Sequence, residues 1–286
     1  MTVQSNQNLH SLSFDVEEHF QVSAFWSETR RRQWDQLESR VELNTRRLID
    51  LLEQYETKAT FFVLGWVAER HPRLVRDLVT AGHEIASHGF GHELVTSQSP
   101  GHFREDVRKA KMILEDIIGN SVSGYRAPSF SISNATAWAL AILVEEGYVY
   151  DSSMYDRFQH RRVERTASTH LRIETPAGPI WEFPPSTMNL CGFQLPVAGG
   201  GYFRLLPYAA SKVILKDLEK RGSQLVMYLH PWEIDPDQPR MNGPWLSQIR
   251  HYLNLKRTED RLRQLLQDFK FAPLQNCLST VEHALH

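Results

Sequence analysis

The stretch ATFFVLGWVAERHPRLVRDLVTAGHEIASH, residues 59–88, predicts the fold because it holds a strand, a helix and a second strand in succession. ATFFVLG (59–65) is an apolar run of strand length. Pro72 then opens a helical segment that Gly82 closes, following the preference of helices for proline at the start and glycine just past the end. HEIASH (83–88) is the next strand, so the stretch predicts a parallel β–α–β unit.

The same alternation continues in both directions along the chain. LHSLSFDVE (9–17) alternates apolar and polar residues with the period of a strand, and VELNTRRLIDLLEQYE (41–56) follows with helical spacing. Further strands are predicted at SGYRAP (123–128), YVYDSS (148–153), GPIWEFPP (178–185) and QLVMYLH (224–230), with a weak strand at FAPLQ (271–275). Residues 155–180 show no clear pattern before the sixth strand, and GGGYF (199–203) predicts a tight loop.

Seven or eight strands separated by helices predict an α/β fold with a parallel sheet. Such a sheet either closes into a barrel or stays open and doubly wound. The chain lacks the GxGxxG motif that follows the first strand of dinucleotide-binding open sheets, which favours the barrel. We therefore expect one domain over residues 1–286, a single distorted (β/α)7-type barrel with its core at about 10–235 and extra C-terminal helices at about 236–286.

The composition indicates a globular protein without a nucleic-acid partner. Hydrophobic residues make up 41% and charged residues 23%, and the formal net charge is -2 with acids and bases interleaved, so no basic stripe is available to follow phosphates. We expect no signal peptide, because the N-terminal stretch MTVQSNQNLHSLSFD has neither a basic segment nor an apolar run of signal-peptide length. We expect no membrane span, because no stretch approaches roughly 18 apolar residues. The two cysteines, Cys191 and Cys277, lie outside any CxxC spacing. Together these features predict a cytoplasmic protein.

Chemically reactive side chains lie at the ends of the predicted strands. They are Asp15, Glu17, Glu18 and His19 on the first strand, His88 and His92 after the third, Arg126 on the fourth, Asp151 on the fifth and His230 on the seventh. The carboxyl ends of the strands of a parallel barrel meet on one face, where active sites are built. We therefore expect these residues, distant in sequence, to be neighbours.

The histidine pair in ASHGFGH (86–92) is the most specific of these features. His88 and His92 stand four residues apart, which allows both rings to turn toward one ion, and the glycines between them allow the backbone to bend. Imidazole suits zinc, iron, nickel or copper. Asp15 and Glu17 share one face of the first strand, so one carboxylate can bind the metal while the other remains free as a base.

The motifs SFDVEEHF, SHGFGH, YRAPSF, YDSS and YLHPWE, in this order, resemble those of the NodB-homology polysaccharide deacetylases, a carbohydrate esterase group. The opening FDVEEHFQV, with GGGYFRLLPY and LHPWEIDPDQP, is similar to the subfamily found in exopolysaccharide loci alongside exosortase (PEP-CTERM) systems. The resemblance runs from about residue 12 to the end of the chain. It implies a deformed (β/α)7 barrel. It also implies an enzyme that removes N-acetyl groups from an amino-sugar polysaccharide or oligosaccharide with the help of a divalent metal ion. Zinc is the first choice for this ion, and cobalt, nickel, iron or manganese are the alternatives.

The resemblance also implies roles for individual residues. Asp15 matches the catalytic base, Arg126 the arginine that pairs with it, and His230 the general acid. His88 and His92 match the metal histidines.

The family motif usually opens with two adjacent aspartates, but here Val16 follows Asp15, so Glu17 is predicted as the metal carboxylate, with Glu18 as the substitute. Gly89 and Ser129 replace a hydroxyl residue and a tyrosine of the family pattern.

Three residues are predicted to contact the sugar or to support the acid. Trp232 directly follows Pro231 and the proposed acid, Phe130 follows the arginine motif, and both could stack on a sugar ring. Asp151 is predicted to lie near the substrate and to support His230.

Other functions fit parts of the same pattern. Two histidines and one carboxylate also form the facial triad of non-haem iron oxygenases. A hydrolase of cyclic amides or ureides would keep the fold, and the missing second aspartate would suit a carbohydrate-binding barrel without catalysis. The oligomeric state and the exact sugar are left open by the sequence.

Overall fold

The fold is built on one large sheet, here described from a computed structural model that covers residues 9–25, 31–154, 163–165, 170–190 and 193–278. The strands are β1 His10–Val16, β2 Thr60–Val63, β3 Glu84–Ser87, β4 Gly124–Tyr125, β5 Tyr150–Asp151, β6 Val163–Arg165, β7 Leu171–Thr175, β8 Gly178–Glu182, β9 Thr187–Leu190, β10 Phe193–Pro196, β11 Val226–Leu229 and β12 Phe271–Ala272. The α-helices are α1 Val41–Gln54, α2 Gly65–Arg70, α3 Pro72–Thr80, α4 Pro100–Ile118, α5 Trp138–Glu145, α6 Gly200–Leu205, α7 Tyr208–Lys220, α8 Trp245–Tyr252 and α9 Leu255–Asp268.

The strand order of the large sheet is β11-β1-β2-β3-β4-β5-β8-β7-β6, with β12 also paired to β1. Every pairing from β11 to β8 is parallel, whereas β8, β7 and β6 form an antiparallel extension. A separate hairpin joins β9 and β10. The predicted α/β class with a parallel sheet is confirmed, and the antiparallel strands account for part of the segment that carried no clear pattern.

The segment that follows β8 lies beside β11. The Ser186 N–H donates to the Val226 carbonyl at 3.2 Å, and the Tyr228 N–H donates to the Ala198 carbonyl at 2.9 Å. These hydrogen bonds bring the chain that follows β8, at one end of the series of parallel strands, next to β11 at the other end. They do not form a continuous ladder of strand pairing between β8 and β11 in the described residues. Closure of the sheet into a barrel stays a prediction.

The alternation of β1 places its side chains on two sides of the sheet. Leu12, Phe14 and Val16 belong to an apolar cluster that also contains the inner faces of the surrounding helices. Ser13 and Asp15 point to the other side and are buried as well. Burial on both faces is typical of a strand at the centre of a parallel sheet, and it brings polar side chains into the interior near the carboxyl end of β1.

Two sequence expectations are corrected. GGGYF was expected to be a loop, but α6 begins within it, at Gly200. A Cβ on Gly199 would lie 2.0 Å from the Tyr228 carbonyl oxygen, so this glycine serves a close approach to β11 and not a turn. The second correction concerns α2, a short helix that follows β2 and that the sequence analysis did not predict. Its first residue, Gly65, was assigned to the apolar run at residues 59–65, which was predicted as a strand.

Cys277 is buried, and Cys191 lies outside the described residues. Across the ranges that the structure describes, no helix has both the length and the apolar character needed to cross a bilayer.

Candidate active site

Five of the nine reactive side chains at the strand ends line one cavity of about 420 Å³. Among its lining residues are Asp15, Glu17, His88, His92, Phe130, His230 and Trp232. Arg126 lies behind this surface and is fully buried. The structure thus brings together residues from β1 and from the segments after β3, β4 and β11, as the parallel arrangement predicts.

Glu17, His88 and His92 form a cluster whose ligand atoms all lie within 4.8 Å of one another. Glu17 Oε2 is 2.5 Å from His92 Nε2 and 3.8 Å from His88 Nε2. The Nδ1–H of His88 donates to the Arg126 carbonyl at 2.8 Å, so its Nε2 keeps a lone pair for the cluster.

The three side chains fit a divalent metal ion. Burial lowers the pKa of His88 to about 4, so this imidazole is neutral at pH 7, as a ligand must be. Burial raises the pKa of Glu17, but the neighbouring His92 and His230 outweigh it and hold this carboxyl ionised. Glu17 Oε2 is also buried without a well-aligned hydrogen bond. Two imidazoles and one carboxylate are a ligand set that zinc accepts.

The loop between the two histidines is held by Asp106 of α4. Its carboxylate accepts hydrogen bonds from the Phe90 N–H at 2.8 Å and from the Gly91 N–H at 3.2 Å. Gly89 has a φ of +73°, and a Cβ there would lie 2.7 Å from Asp106 Oδ2. Glycine at position 89 is therefore required by both the backbone conformation and the space.

Glu18 points away from the cluster. Its Oε1 accepts a hydrogen bond from the Ser39 hydroxyl, and its Oε2 accepts one from the Arg40 N–H at 3.0 Å. Of the two glutamates that the sequence left as candidates, the structure places Glu17 beside the histidines.

Asp15 and Arg126 form a buried ion pair. Arg126 Nη1 donates to Asp15 Oδ1 at 2.7 Å and to Ser13 Oγ at 2.8 Å. Its Nε and Nη2 donate to the carbonyl and hydroxyl oxygens of Ser152 at 3.0 and 2.7 Å. With its donors satisfied by fixed partners, Arg126 holds one carboxylate oxygen and leaves Asp15 Oδ2 directed toward His230, at 3.8 Å.

His230 is oriented by Glu233, three residues later. Its Nδ1 lies 2.7 Å from Glu233 Oε1, and Arg204 Nε donates to Glu233 Oε2 at 2.6 Å. Burial alone lowers the pKa of His230, but the hydrogen bond to Glu233 and the charge of Glu17 outweigh it and raise the pKa to about 9. The imidazole is thus held protonated near neutral pH with Nε2 directed at the cavity.

Trp232 lines the cavity, but its main contact is with the proposed metal ligand. Its Nε1–H donates to Glu17 Oε1 at 3.1 Å, and its ring stacks with His230 and His251 at centroid distances of 4.9 and 4.2 Å. Only 5% of Trp232 is exposed. The residue is therefore placed to orient Glu17 and does not offer an open ring face to a sugar.

Phe130 and Asp151 differ in their position. Phe130 is half-buried in the cavity wall, with its ring 4.7 Å from that of Tyr228. Asp151 is fully buried, is not part of the cavity lining, and accepts a hydrogen bond from the Ser153 hydroxyl. The prediction that Asp151 contacts the substrate or supports His230 is corrected, because Glu233 occupies that position.

Sequence reasoning missed several residues that shape the site. Glu233 follows His230 at a spacing of three residues, as in the S/T-x-x-E box that caps helices, and this spacing could have indicated the pair. Arg204 and Asp106 lie on helices, and no local sequence pattern indicates that these two side chains contact residues of the site. Ser247 and Arg250 also line it, so the C-terminal extension contributes directly to the site.

Comparison with known families divides the chain into two matched segments. Residues 33–148 match the family model described as polysaccharide deacetylase. Residues 152–279 match a family described as a domain of unknown function, DUF3473.

Two curated relatives are similar over part of their length. A peptidoglycan deacetylase of Helicobacter pylori is 30% identical over 113 residues, which are 40% of this chain and 38% of the relative. A peptidoglycan-N-acetylglucosamine deacetylase of Bacillus cereus is 32% identical over 96 residues, 33% of this chain and 35% of the relative. The chain therefore spans well under half of the length of each.

Among solved structures, one that is provisionally described as a polysaccharide deacetylase from Mycobacterium smegmatis has a TM-score of 0.66 at 20% identity, and the match covers 99% of this chain and 93% of that one. A CE4 family pseudoenzyme from Bacillus anthracis has a TM-score of 0.50 at 13% identity, covering 95% and 65%. At these identities the likeness concerns the fold, and a shared fold does not decide activity.

Proposed function

We propose that this chain, in which residues 33–148 match the polysaccharide deacetylase family model, is a divalent-metal-dependent hydrolase that removes N-acetyl groups from an amino-sugar polysaccharide or its precursor. The observation that carries the proposal is the convergence of a metal-ligand cluster with one buried acid and one partly exposed imidazole. His230 Nε2 lies 3.8 Å from Asp15 Oδ2 and 3.7 Å from Glu17 Oε1, on the wall of one cavity.

The side chains of this site suit amide hydrolysis. A bound divalent ion would supply a water molecule of lowered pKa and an electrophile for the acetamide oxygen. Asp15, held in place by its ion pair with Arg126, would accept a proton from the attacking water. His230, kept protonated by Glu233, would donate a proton to the departing sugar nitrogen. His230 thus stands in the protonated state that the role of a general acid requires.

The test of this function is acetate release from N-acetylated substrates. We expect purified protein loaded with zinc or cobalt to release acetate from chitooligosaccharides or peptidoglycan fragments under anaerobic conditions, and to lose this activity on chelation. Activity that requires dioxygen would support an iron oxygenase instead. Ring opening of cyclic ureides without acetate release would indicate the cyclic-amide hydrolase, and sugar binding without turnover would indicate a non-catalytic barrel.

Replacing Glu233 with glutamine is expected to change the pH dependence of activity. The carboxylate favours protonated His230, so its removal lowers the pKa of the imidazole. The proton that His230 must donate is then lost at a lower pH. We expect the alkaline limb of kcat against pH to move down by about 1–3 units, as for the loss of an adjacent opposite charge.

The pH profile distinguishes this role from a structural one. A Glu233→Gln variant that is merely less stable would lose activity at all pH values without moving the limb. An exposed control, Glu56→Gln, should keep the parent profile. An unchanged limb in a folded, metal-loaded Glu233→Gln variant would show that His230 is not the proton donor.

The biological setting is a further part of the proposal and rests on the motif resemblance. The similarity of FDVEEHFQV and LHPWEIDPDQP to the exosortase-associated subfamily supports a role in exopolysaccharide biosynthesis. A cytoplasmic location would then place the reaction on a precursor and not on the finished polymer. Recovery of the protein in the periplasmic or extracellular fraction would contradict this part of the proposal.

A further inference from the structure

Helix α8 exposes three large apolar side chains to solvent. Trp245, Leu246 and Ile249 are 68%, 62% and 54% exposed. Ile249 follows Trp245 by four residues and Leu246 by three, so it neighbours both on one side of the helix. Ser247 and His251, on another side of α8, line the catalytic cavity. The apolar face therefore lies on the outside of a helix that forms part of the active-site wall, and exposed patches of this kind mark interaction surfaces.

A basic cavity lies at the junction of α8 and α9. It has a volume of about 350 Å³, and its lining includes Arg240, Lys256, Arg257 and Tyr252 but no acidic side chain. The Arg240 guanidinium lies 4.4 Å from the centre of the Tyr252 ring. Within the part of the chain that the structure describes, these three cations form no ion pair with a carboxylate. The cavity is therefore suited to an anion.

The charge of this region differs from that of the whole chain. Residues 236–257 contain four basic residues, with Arg250 as the fourth, and a single acidic residue, Asp237. The complete chain has a formal net charge of -2. The segment that carries the exposed apolar face of α8 is thus more basic than the chain as a whole, and Tyr252 at the end of α8 lines the basic cavity.

We propose that this α8 surface, formed by Trp245, Leu246 and Ile249 with the adjoining basic cavity, binds the surface of an anionic lipid bilayer. A tryptophan beside aliphatic side chains and flanked by cations is the composition of helices that lie in the membrane interface. The cations complement anionic headgroups. A sugar polymer fits less well, because Leu246 and Ile249 have no ring face on which a sugar stacks. The proposal is independent of the proposed deacetylase activity.

Vesicle binding of the full chain tests the proposal. We expect the protein to sediment with phosphatidylglycerol vesicles and not with phosphatidylcholine vesicles, and binding to weaken as salt is raised. The triple variant Arg240→Gln, Lys256→Gln, Arg257→Gln is expected to bind about 100-fold more weakly, at roughly the contribution of one surface cation each. The triple variant Trp245→Ser, Leu246→Ser, Ile249→Ser should lose more than about 10-fold.

Control variants distinguish membrane binding by the α8 surface from nonspecific adsorption through any exposed apolar side chain. Met112 and Val213 are 63% and 69% exposed on other helices, so Met112→Ser, Val213→Ser should bind like the parent. Quenching of tryptophan fluorescence by brominated phosphatidylglycerol should occur in the parent and decrease in Trp245→Phe, which tests the contact without a destabilising change.

Several results would overturn the proposal. They are the absence of binding to phosphatidylglycerol, equal binding to phosphatidylcholine, binding that both triple variants retain, and binding to soluble alginate through the same residues without binding to vesicles. None of these measurements uses catalysis, so the failure of the proposed deacetylase function would leave the result unaffected.

Discussion

A Glu17→Gln variant is expected to lose its metal ion and, with it, its activity. Glu17 is the carboxylate of the cluster with His88 and His92, and glutamine would replace the anionic ligand with a neutral one. Loss of a supporting residue around a metal typically costs 10–100-fold in affinity, so loss of a direct ligand should cost more than about 100-fold. Metal analysis of the purified variant, with competition against a chelator, measures the change.

Glu18 provides a matched control for this prediction. It is the next residue, is equally buried, and bonds to Ser39 and Arg40 in place of the histidines. Glu18→Gln should therefore keep the metal, with melting curves recorded for both variants to verify folding. Retention of metal by Glu17→Gln together with its loss in Glu18→Gln would assign the ligand to Glu18 and contradict the geometry described above.

Asp15→Asn is expected to keep the metal but to lose most of the activity. The amide preserves the shape of the side chain and cannot accept a proton from the attacking water. General-base catalysis contributes about 10²–10⁴-fold, so we expect kcat/KM to fall by about that factor. Acetate release and metal content, measured on the same preparation, separate this effect from that of Glu17→Gln.

The substitution also leaves Arg126 buried without its anionic partner, so stability must be measured alongside activity. Asp50→Asn, an exposed change on α1, should leave both quantities at the parent values. A folded, metal-loaded Asp15→Asn variant with the parent kcat/KM would exclude Asp15 as the base. If neither the parent protein nor the Asp15→Asn variant releases acetate while both bind the sugar, the protein is a carbohydrate-binding barrel without catalysis.

The sequence alone was sufficient for the order of the parallel strands and for the edge of the sheet at which the site lies. The alternation of Leu12, Phe14 and Val16 with polar residues reports which side of β1 packs on the helices, because side chains of a strand alternate between faces. Apolar strands separated by helices imply parallel pairing, and parallel pairing brings strand ends together. For this reason Asp15, His88 and His230 could be expected on one face without any knowledge of distances.

Local sequence patterns also explain which secondary-structure elements were predicted wrongly. A run of glycines such as that at 199–201 usually indicates a turn, but Gly199 is required by the contact with Tyr228, which is distant in sequence. The antiparallel strand β7 lacks the apolar run of the central strands, because it is less buried on one of its sides than they are.

Only the tertiary structure decided which side chains act on one another. Glu17 and Glu18 are adjacent in sequence and chemically equivalent, and the direction in which the chain leaves β1 determines that Glu17 meets the histidines. Glu233, and not Asp151, supports His230, and α8 in the C-terminal extension forms part of the cavity wall. The periodicity of apolar residues along the chain indicates which side chains are buried. A contact between residues distant in sequence depends instead on strand register and helix packing, which a local sequence pattern does not determine.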